Sequence, residues 1–220
     1  MEDPLFNLLL GFVFGTISSL LAALAWDRWT RPRLAIEIDR TKAVGQNAAN
    51  PPHEFFHVVV GNRREDPAED GLAPGLRTAW SCSATLEILP NGTSPKIGPI
   101  SARWTSQPEP IQLLTVGQMV YSMVDIARII AGRRVDVHSH REQQLSIVLK
   151  FEGEDDCFLF TNESYAFLPK WNNPAWRLGL GRHHLRVTID FELGRKQADF
   201  WIENGGRRRE DVRLLPFEAR

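Results

Sequence analysis

Residues 53 to 57 read His53-Glu54-Phe55-Phe56-His57. This is the H-E-x-x-H pattern, which on a helix places two imidazoles on one zinc ion and a glutamate beside it as general base. The chemistry implied is metal-dependent hydrolysis, and it depends on the backbone period. On a helix, residues i and i+4 stack with Cβ atoms about 6 Å apart. On a strand the same two residues share a face but lie about 13 Å apart. Two imidazoles at that separation cannot both reach one zinc at about 2.1 Å. Phe55, Phe56, Val58, Val59 and Val60 are aromatic or β-branched, which suits a strand. Asn50-Pro51-Pro52 would also start a helix acceptably, but Gly61 would stop it almost at once. A metzincin extension would need glycine and histidine where the chain has Val60 and Arg63. The spacing therefore predicts a structural strand, with a zinc hydrolase built on His53, Glu54 and His57 as the alternative.

Other constellations carry less. His138-Ser139-His140 would set two imidazoles about 7 Å apart on one strand face, without a third ligand in view. His183 and His184 point to opposite faces of a strand. No G-x-S-x-G, phosphate-binding loop or G-x-G-x-x-G in strand–helix context occurs. Cys82 and Cys157 are too few for a disulfide scaffold. Cys157 follows Glu154-Asp155-Asp156, whose negative field raises a thiol pKa, the wrong direction for a nucleophile. The expectation is no catalytic residue, no metal and no cofactor.

The elements that would position these residues begin with an apolar run. Leu5 to Trp26 carries no charge and as a helix would be about 33 Å long, enough for a hydrocarbon core of about 30 Å. Ala23-Leu24-Ala25 resembles a signal-peptidase site, but Met1–Asn7 lacks the basic n-region a signal peptide needs. The run is therefore read as an uncleaved transmembrane helix over 5–26, with 1–4 outside and a juxtamembrane linker over 27–33. Trp26 and Trp29 suit the headgroup level, and Arg28 and Arg31 begin the basic flank. Arg33, Arg40 and Lys42 continue it, which predicts a cytoplasmic C-terminal domain on a single-pass inner-membrane protein. On that topology the sequons at Asn91 and Asn162 meet no glycosylation enzyme. Gly11, Gly15, Ser19 and Ala23 recur every four residues and form a small-residue ridge for a second copy or a partner helix.

The remainder alternates with period two. Trp80, Cys82, Ala84, Leu86 and Ile88 are apolar between polar neighbours, as are Leu185, Val187, Ile189 and Phe191. Gly194-Arg195-Lys196 would close a hairpin onto Ala198, Phe200 and Ile202. Further strands are expected at 34–38, 55–60, 111–114, 145–151 and 157–161. The segment 119–130 fits helix or strand, and the strand is preferred because its neighbours are strands. The fold class is all-β: one antiparallel β-sandwich over 34–204, with a basic tail over 205–220. Composition is ordinary for a globular domain, with 43% hydrophobic and 24% charged residues. A net charge of −1 gives no reason to expect nucleic acid.

The strand ending FHVVVGN, the cysteine strand TAWSCSATLEIL, ARW at 102–104, and GRHHLRVTIDFE followed by ADFWIEN together resemble membrane-anchored immunoglobulin-like sandwich proteins of prokaryotes. The resemblance covers about residues 33–204. It implies the immunoglobulin-like fold and a binding or scaffolding habit, with no catalytic residues to carry over. The function expected is a membrane-tethered cytoplasmic module that binds a protein or small ligand through its loops.

Overall fold

The computed structural model describes residues 4–41, 43–47, 50–63, 76–90, 96–117, 119–139, 141–168 and 170–217. A helix, α1 (Pro4–Thr30), comes first. The strands in chain order are β1 (Leu34–Ile38), β2 (Ala43–Asn47), β3 (Asn50–Asn62), β4 (Ala79–Leu89), β5 (Ile97–Ser101), β6 (Arg103–Trp104), β7 (Ile111–Val116) and β8 (Met119–Val124). A short helix α2 (Ile126–Ala131) follows. Then come β9 (Arg134–Val137), β10 (Glu142–Phe151), β11 (Cys157–Leu159), β12 (Arg177–Leu178), β13 (Gly181–Phe191), β14 (Gly194–Asn204) and β15 (Val212–Pro216).

The strands form two antiparallel sheets and a separate hairpin. One sheet runs β1-β3-β10-β11-β12, with β2 also on β3 and β6 also on β10; the other runs β15-β14-β13-β4-β5, with β9 also on β4. Strand β3 is long enough to take two partners along one edge. Its second half pairs β1 (Ile38↔Val58) and its first half pairs β2 (Ala43↔Phe55). The inward faces of both sheets feed one hydrophobic core, including Val58, Val60, Leu145 and Leu159 from the first and Leu86, Ile88, Val187 and Ile202 from the second. The polar residues between them face out, as the period of two requires. A smaller cluster of Leu149, Phe151, Phe160 and Tyr165 sits on the other face of the first sheet.

Four boundaries differ from the sequence expectation. Helix α1 continues to Thr30, because Arg31 bonds back to Asp27 and Pro32 supplies the stop. The linker expected over 27–33 is therefore three residues, 31–33. The segment 119–130 is neither all strand nor all helix. Strand β8 ends at Val124, and Asp125 caps α2 by accepting from the Ala127 and Arg128 amides. The β13–β14 turn lies at Glu192-Leu193, just before Gly194. Most consequentially, the chain beyond 204 is not a tail. Gly205 and Arg208 bond Asp211, and Val212–Pro216 then pairs with β14 as an edge strand.

Helix α1 is long and apolar enough to cross a membrane, and none of its apolar span is buried against the rest of the chain. Its end is fixed to the β-domain. Thr30 is buried, and the Arg77 amide donates to Thr30 O at 2.8 Å while Arg77 Nε donates to Thr30 Oγ1 at 2.9 Å. Arg77 also pairs with Asp27. Asn62, closing β3, accepts from the Arg33 amide at 3.0 Å and donates to Arg77 O at 2.8 Å and Val137 O at 3.2 Å.

Candidate functional site

The His53–His57 string lies inside β3. Its odd members face the outer cluster and its even members face the main core. His53 stands opposite Phe151 and His57 opposite Ser146, while Glu54 stands opposite Lys150 on the other face. Strand geometry thus separates the imidazoles by about 13 Å and turns the glutamate away from both. Among the described residues no group of three or more His, Cys, Asp or Glu side chains is arranged to hold a metal. His53 is a packing residue: its ring contacts Phe55, Phe151 and Trp171, its Nδ1 lies 2.9 Å from Pro51 O, and Gly45 of β2 covers its Nε2.

His57 differs. It sits where the edge partner of β3 changes from β1 to β2, and its carbonyl accepts from the Asp39 amide at 3.1 Å. The ring is 6% exposed, and Nδ1 is buried without a hydrogen bond. Burial holds the imidazole below its ordinary pKa, and the negative charge of Asp39 opposes this only in part. The neutral ring lines a cleft of about 230 Å³ with Phe55, Arg103, Gln144, Ser146 and Tyr165 among others, while its Nδ1 is sealed from solvent.

Arg103 of β6 is the cleft's buried cation, 5% exposed. Its Nη1 donates to Asn162 Oδ1 at 2.7 Å, its Nη2 to Gln107 O at 3.1 Å, and the guanidinium lies 5.4 Å from the Tyr165 ring centre. Burial raises the Tyr165 pKa, and the Glu109 carboxylate acts in the same direction, so the phenol stays protonated. Asn162 also donates to Ile129 O at 3.4 Å, which joins the cleft to α2. The Asn162 sequon is consumed by these bonds, whereas the Asn91 sequon lies outside the described residues.

The cleft has the residue types of acyl-transfer chemistry without their arrangement. Ser146 is His57's cross-strand neighbour. The Asp39 carboxylate is engaged by the Thr41 amide, the Thr41 hydroxyl and Gln144 Nε2. Among the described residues no carboxylate hydrogen-bonds His57 as the orienting group of a general base would. What remains is an aromatic-walled cavity with fixed donors and acceptors, the composition of a small-molecule site. A wider groove between β1 and β14–β15 is open, and its rim charges Glu37 and Glu142 are paired with Arg63.

The other sequence candidates are dispersed. His138 Nδ1 lies 3.0 Å from Thr78 Oγ1, and His140 is outside the described residues. His183 Nε2 meets Gly179 O at 2.9 Å, and on the opposite face His184 stacks on Phe217 and pairs with Asp199. Cys157 is pushed up to about 12, mainly by burial, and of the acidic triplet expected to raise it Asp156 contributes. Along α1, Gly11, Gly15, Ser19 and Ala23 are exposed, and the Ser19 hydroxyl donates back to Gly15 O at 2.8 Å. Trp26 and Trp29 are 60% and 59% exposed, with Arg28 and Arg31 exposed beside them. No family model, curated protein or solved structure matches the chain, so function rests on its own geometry.

Apart from His57, the cleft residues were missed from sequence because they come from four separate segments. A faint signal existed: ARW at 102–104 places a lone arginine inside an apolar strand, where a buried charge needs a reason.

Proposed function

We propose that this chain is a single-pass inner-membrane protein whose cytoplasmic, immunoglobulin-like β-sandwich is a non-enzymatic module that binds a small polar ligand in the His57–Arg103 cleft. The observation that carries the reading is a single cavity lined by a buried Arg103 and a buried, neutral His57. A buried charge needs polar partners, and a polar ligand group in the cleft would add to those that Asn162 and Gln107 give Arg103. Two antiparallel sheets sharing one core support the sandwich, and the apolar α1 followed by Arg28, Arg31, Arg33 and Arg40 supports the tether and its orientation. The Asp39 carboxylate is bonded by Thr41 and Gln144 rather than by His57, an arrangement that suits binding better than acid–base catalysis.

The test follows the histidine ring resonances of the full-length protein during titration with acetate, inorganic phosphate and glycine. At least one should shift His57 and leave His183 unmoved, and Arg103→Gln should abolish the shift. Perturbation of His57 by none of these small polar probes would count against a ligand cleft.

A further inference from the structure

Strand pairing lays three polar residues of the cleft side by side. Ser146 of β10 stands between two partners, Arg103 of β6 on one flank and His57 of β3 on the other. Directly paired residues share a face about 4.5–5.5 Å apart, so the row Arg103–Ser146–His57 spans about 10 Å of one sheet surface. All three are buried, at 5%, 3% and 6% exposure, and all three line the same cavity. A guanidinium carries five N–H donors. Asn162 Oδ1 and Gln107 O each take one from Arg103, and both acceptors are neutral. The more exposed Arg63, Arg77, Arg186 and Arg207 each pair with a carboxylate. Arg103 has no such partner among the described residues. A cation taken out of water without a counter-charge is costly, and the cavity beside it is where one can be supplied.

We propose that the ligand of this cleft is a monocarboxylate with a compact apolar body, an inference that rests on the ligand-cleft reading above. Its carboxylate accepts from the Arg103 N–H groups left over and from the Ser146 hydroxyl, and gives the buried cation its counter-charge. The planar fork of a guanidinium matches the two oxygens of a carboxylate, which makes the pairing specific as well as strong. The ligand carries one negative charge because the row supplies one cation. Burial holds His57 below its ordinary pKa, so its ring is neutral above pH 6.5. Glu109, exposed at the same cavity, adds a negative charge that opposes a phosphate dianion further. The body is apolar because the remaining wall is aromatic. Phe160 packs against Phe55 and Tyr165 with ring centres 4.8 Å and 5.5 Å apart, and all three rings line the cavity. The body is compact because about 230 Å³ lies below the range of about 300–1,000 Å³ that suits larger ligands.

The test titrates the full-length protein calorimetrically, above pH 6.5, with three probes: benzoate, benzamide as its neutral counterpart of the same shape, and inorganic phosphate. Benzoate should bind at least about tenfold more tightly than either of the others, the order of one charge-assisted hydrogen bond. Arg103→Gln should bring benzoate down to the level of benzamide. Glu109→Gln, at an exposed position, should tighten benzoate and leave benzamide where it is. The wild-type comparison and the Glu109 variant decide the matter even where Arg103→Gln fails to fold. Equal binding of benzoate and benzamide, or tighter binding of phosphate, overturns the carboxylate assignment and leaves the cleft standing. A Glu109→Gln variant in which benzoate and benzamide move together overturns it as well, because the site then does not read the charge. Binding by none of the three probes rejects the cleft and the proposal together.

Discussion

Lys150 Nζ lies 3.1 Å from Asn204 Oδ1 and so joins the two sheets at the end remote from α1. Lys150 is fully buried, and its ammonium is also held by Asp155 O at 3.1 Å, Asp156 O at 3.4 Å and Gly206 O at 2.6 Å. Asn204 Nδ2 donates in turn to Asp155 O, Leu178 O and Gly179 O. At the α1 end Asn62 plays the corresponding part by reaching Val137 O. Each end of the core is therefore closed by a buried polar residue that bonds across the sheets. Lys150→Met should take that donor from Asn204 Oδ1, Asp156 O and Gly206 O and cost about 1–3 kcal/mol, read as a lowered urea midpoint. A loss under about 1 kcal/mol would mean the cage is not structural.

The packing of His53 gives a second test. A Cβ on Gly45 would fall 2.3 Å from His53 Nε2. The ring cannot step aside, because Phe55, Phe151 and Trp171 surround it and Pro51 O holds Nδ1. Gly45→Ala should therefore destabilise by about 1–3 kcal/mol through overpacking. Val58→Ala, at a fully buried core position, should cost about 2 kcal/mol or more. Glu54→Gln should leave any activity of the protein intact, and an activity abolished in that variant while the fold survives would revive the hydrolase reading.

These residues also show what was legible in the chain. The run from Phe55 to Val60 announced a strand because β-branched and aromatic residues fit a pleated surface. The alternation in Trp80–Ile88 and Leu185–Phe191 announced two more for the same reason of period. The cleft was not legible, since Arg103, His57, Ser146 and Tyr165 meet only through non-local pairing. Strand β15 was hidden for a different reason. Arg207 and Arg209 make the segment read as a solvated basic run, yet they pair with Asp155 and Glu152 and let Val212–Pro216 return to the sheet. Lys150 was equally silent, because its partners are mostly backbone carbonyls.

His57 predicts a pH dependence. Its folded pKa is held below the ordinary 6.5, so the unfolded chain binds a proton first as pH falls. Above 6.5 both states are neutral at this site and nothing is lost. Below it, stability should decline until pH reaches the lowered folded value, then level off. Asp39, whose carboxyl is held low by Thr41 and Gln144 against the opposing effect of burial, acts in a separate window below 3.8. His57→Phe should flatten the decline just below pH 6.5 in denaturation midpoints, and an unchanged slope would remove His57 as its source.

Orientation can be checked at the other terminus. A reporter that works only in the cytoplasm, fused after Arg220, should be active, and one that requires export should be silent. The basic flank of α1 is the reason, since lysine and arginine near a span are retained on the cytoplasmic side. Activity of the exported reporter would reverse the topology and place the cleft outside the cytoplasm.

The last expectation concerns α1 itself. Gly11 and Gly15 have nothing within 4 Å of where a Cβ would stand, so the ridge they form with Ser19 and Ala23 is open to a neighbour. Small side chains let a second helix backbone approach closely, and dispersion then favours pairing where hydrophobicity cannot, because lipid already solvates leucine well. The Ser19 hydroxyl already donates to Gly15 O, so across a helix contact it serves as an acceptor and adds little as a donor. Packing should therefore depend on the glycines more than on the serine. In a membrane two-hybrid assay on residues 1–32, the wild-type span should signal above a monomeric control, Gly15→Ile should lose the signal, and Ser19→Ala should keep most of it. Equal pairing by Gly15→Ile, or no signal from the wild type, would show that the ridge does not bind a second copy of this helix.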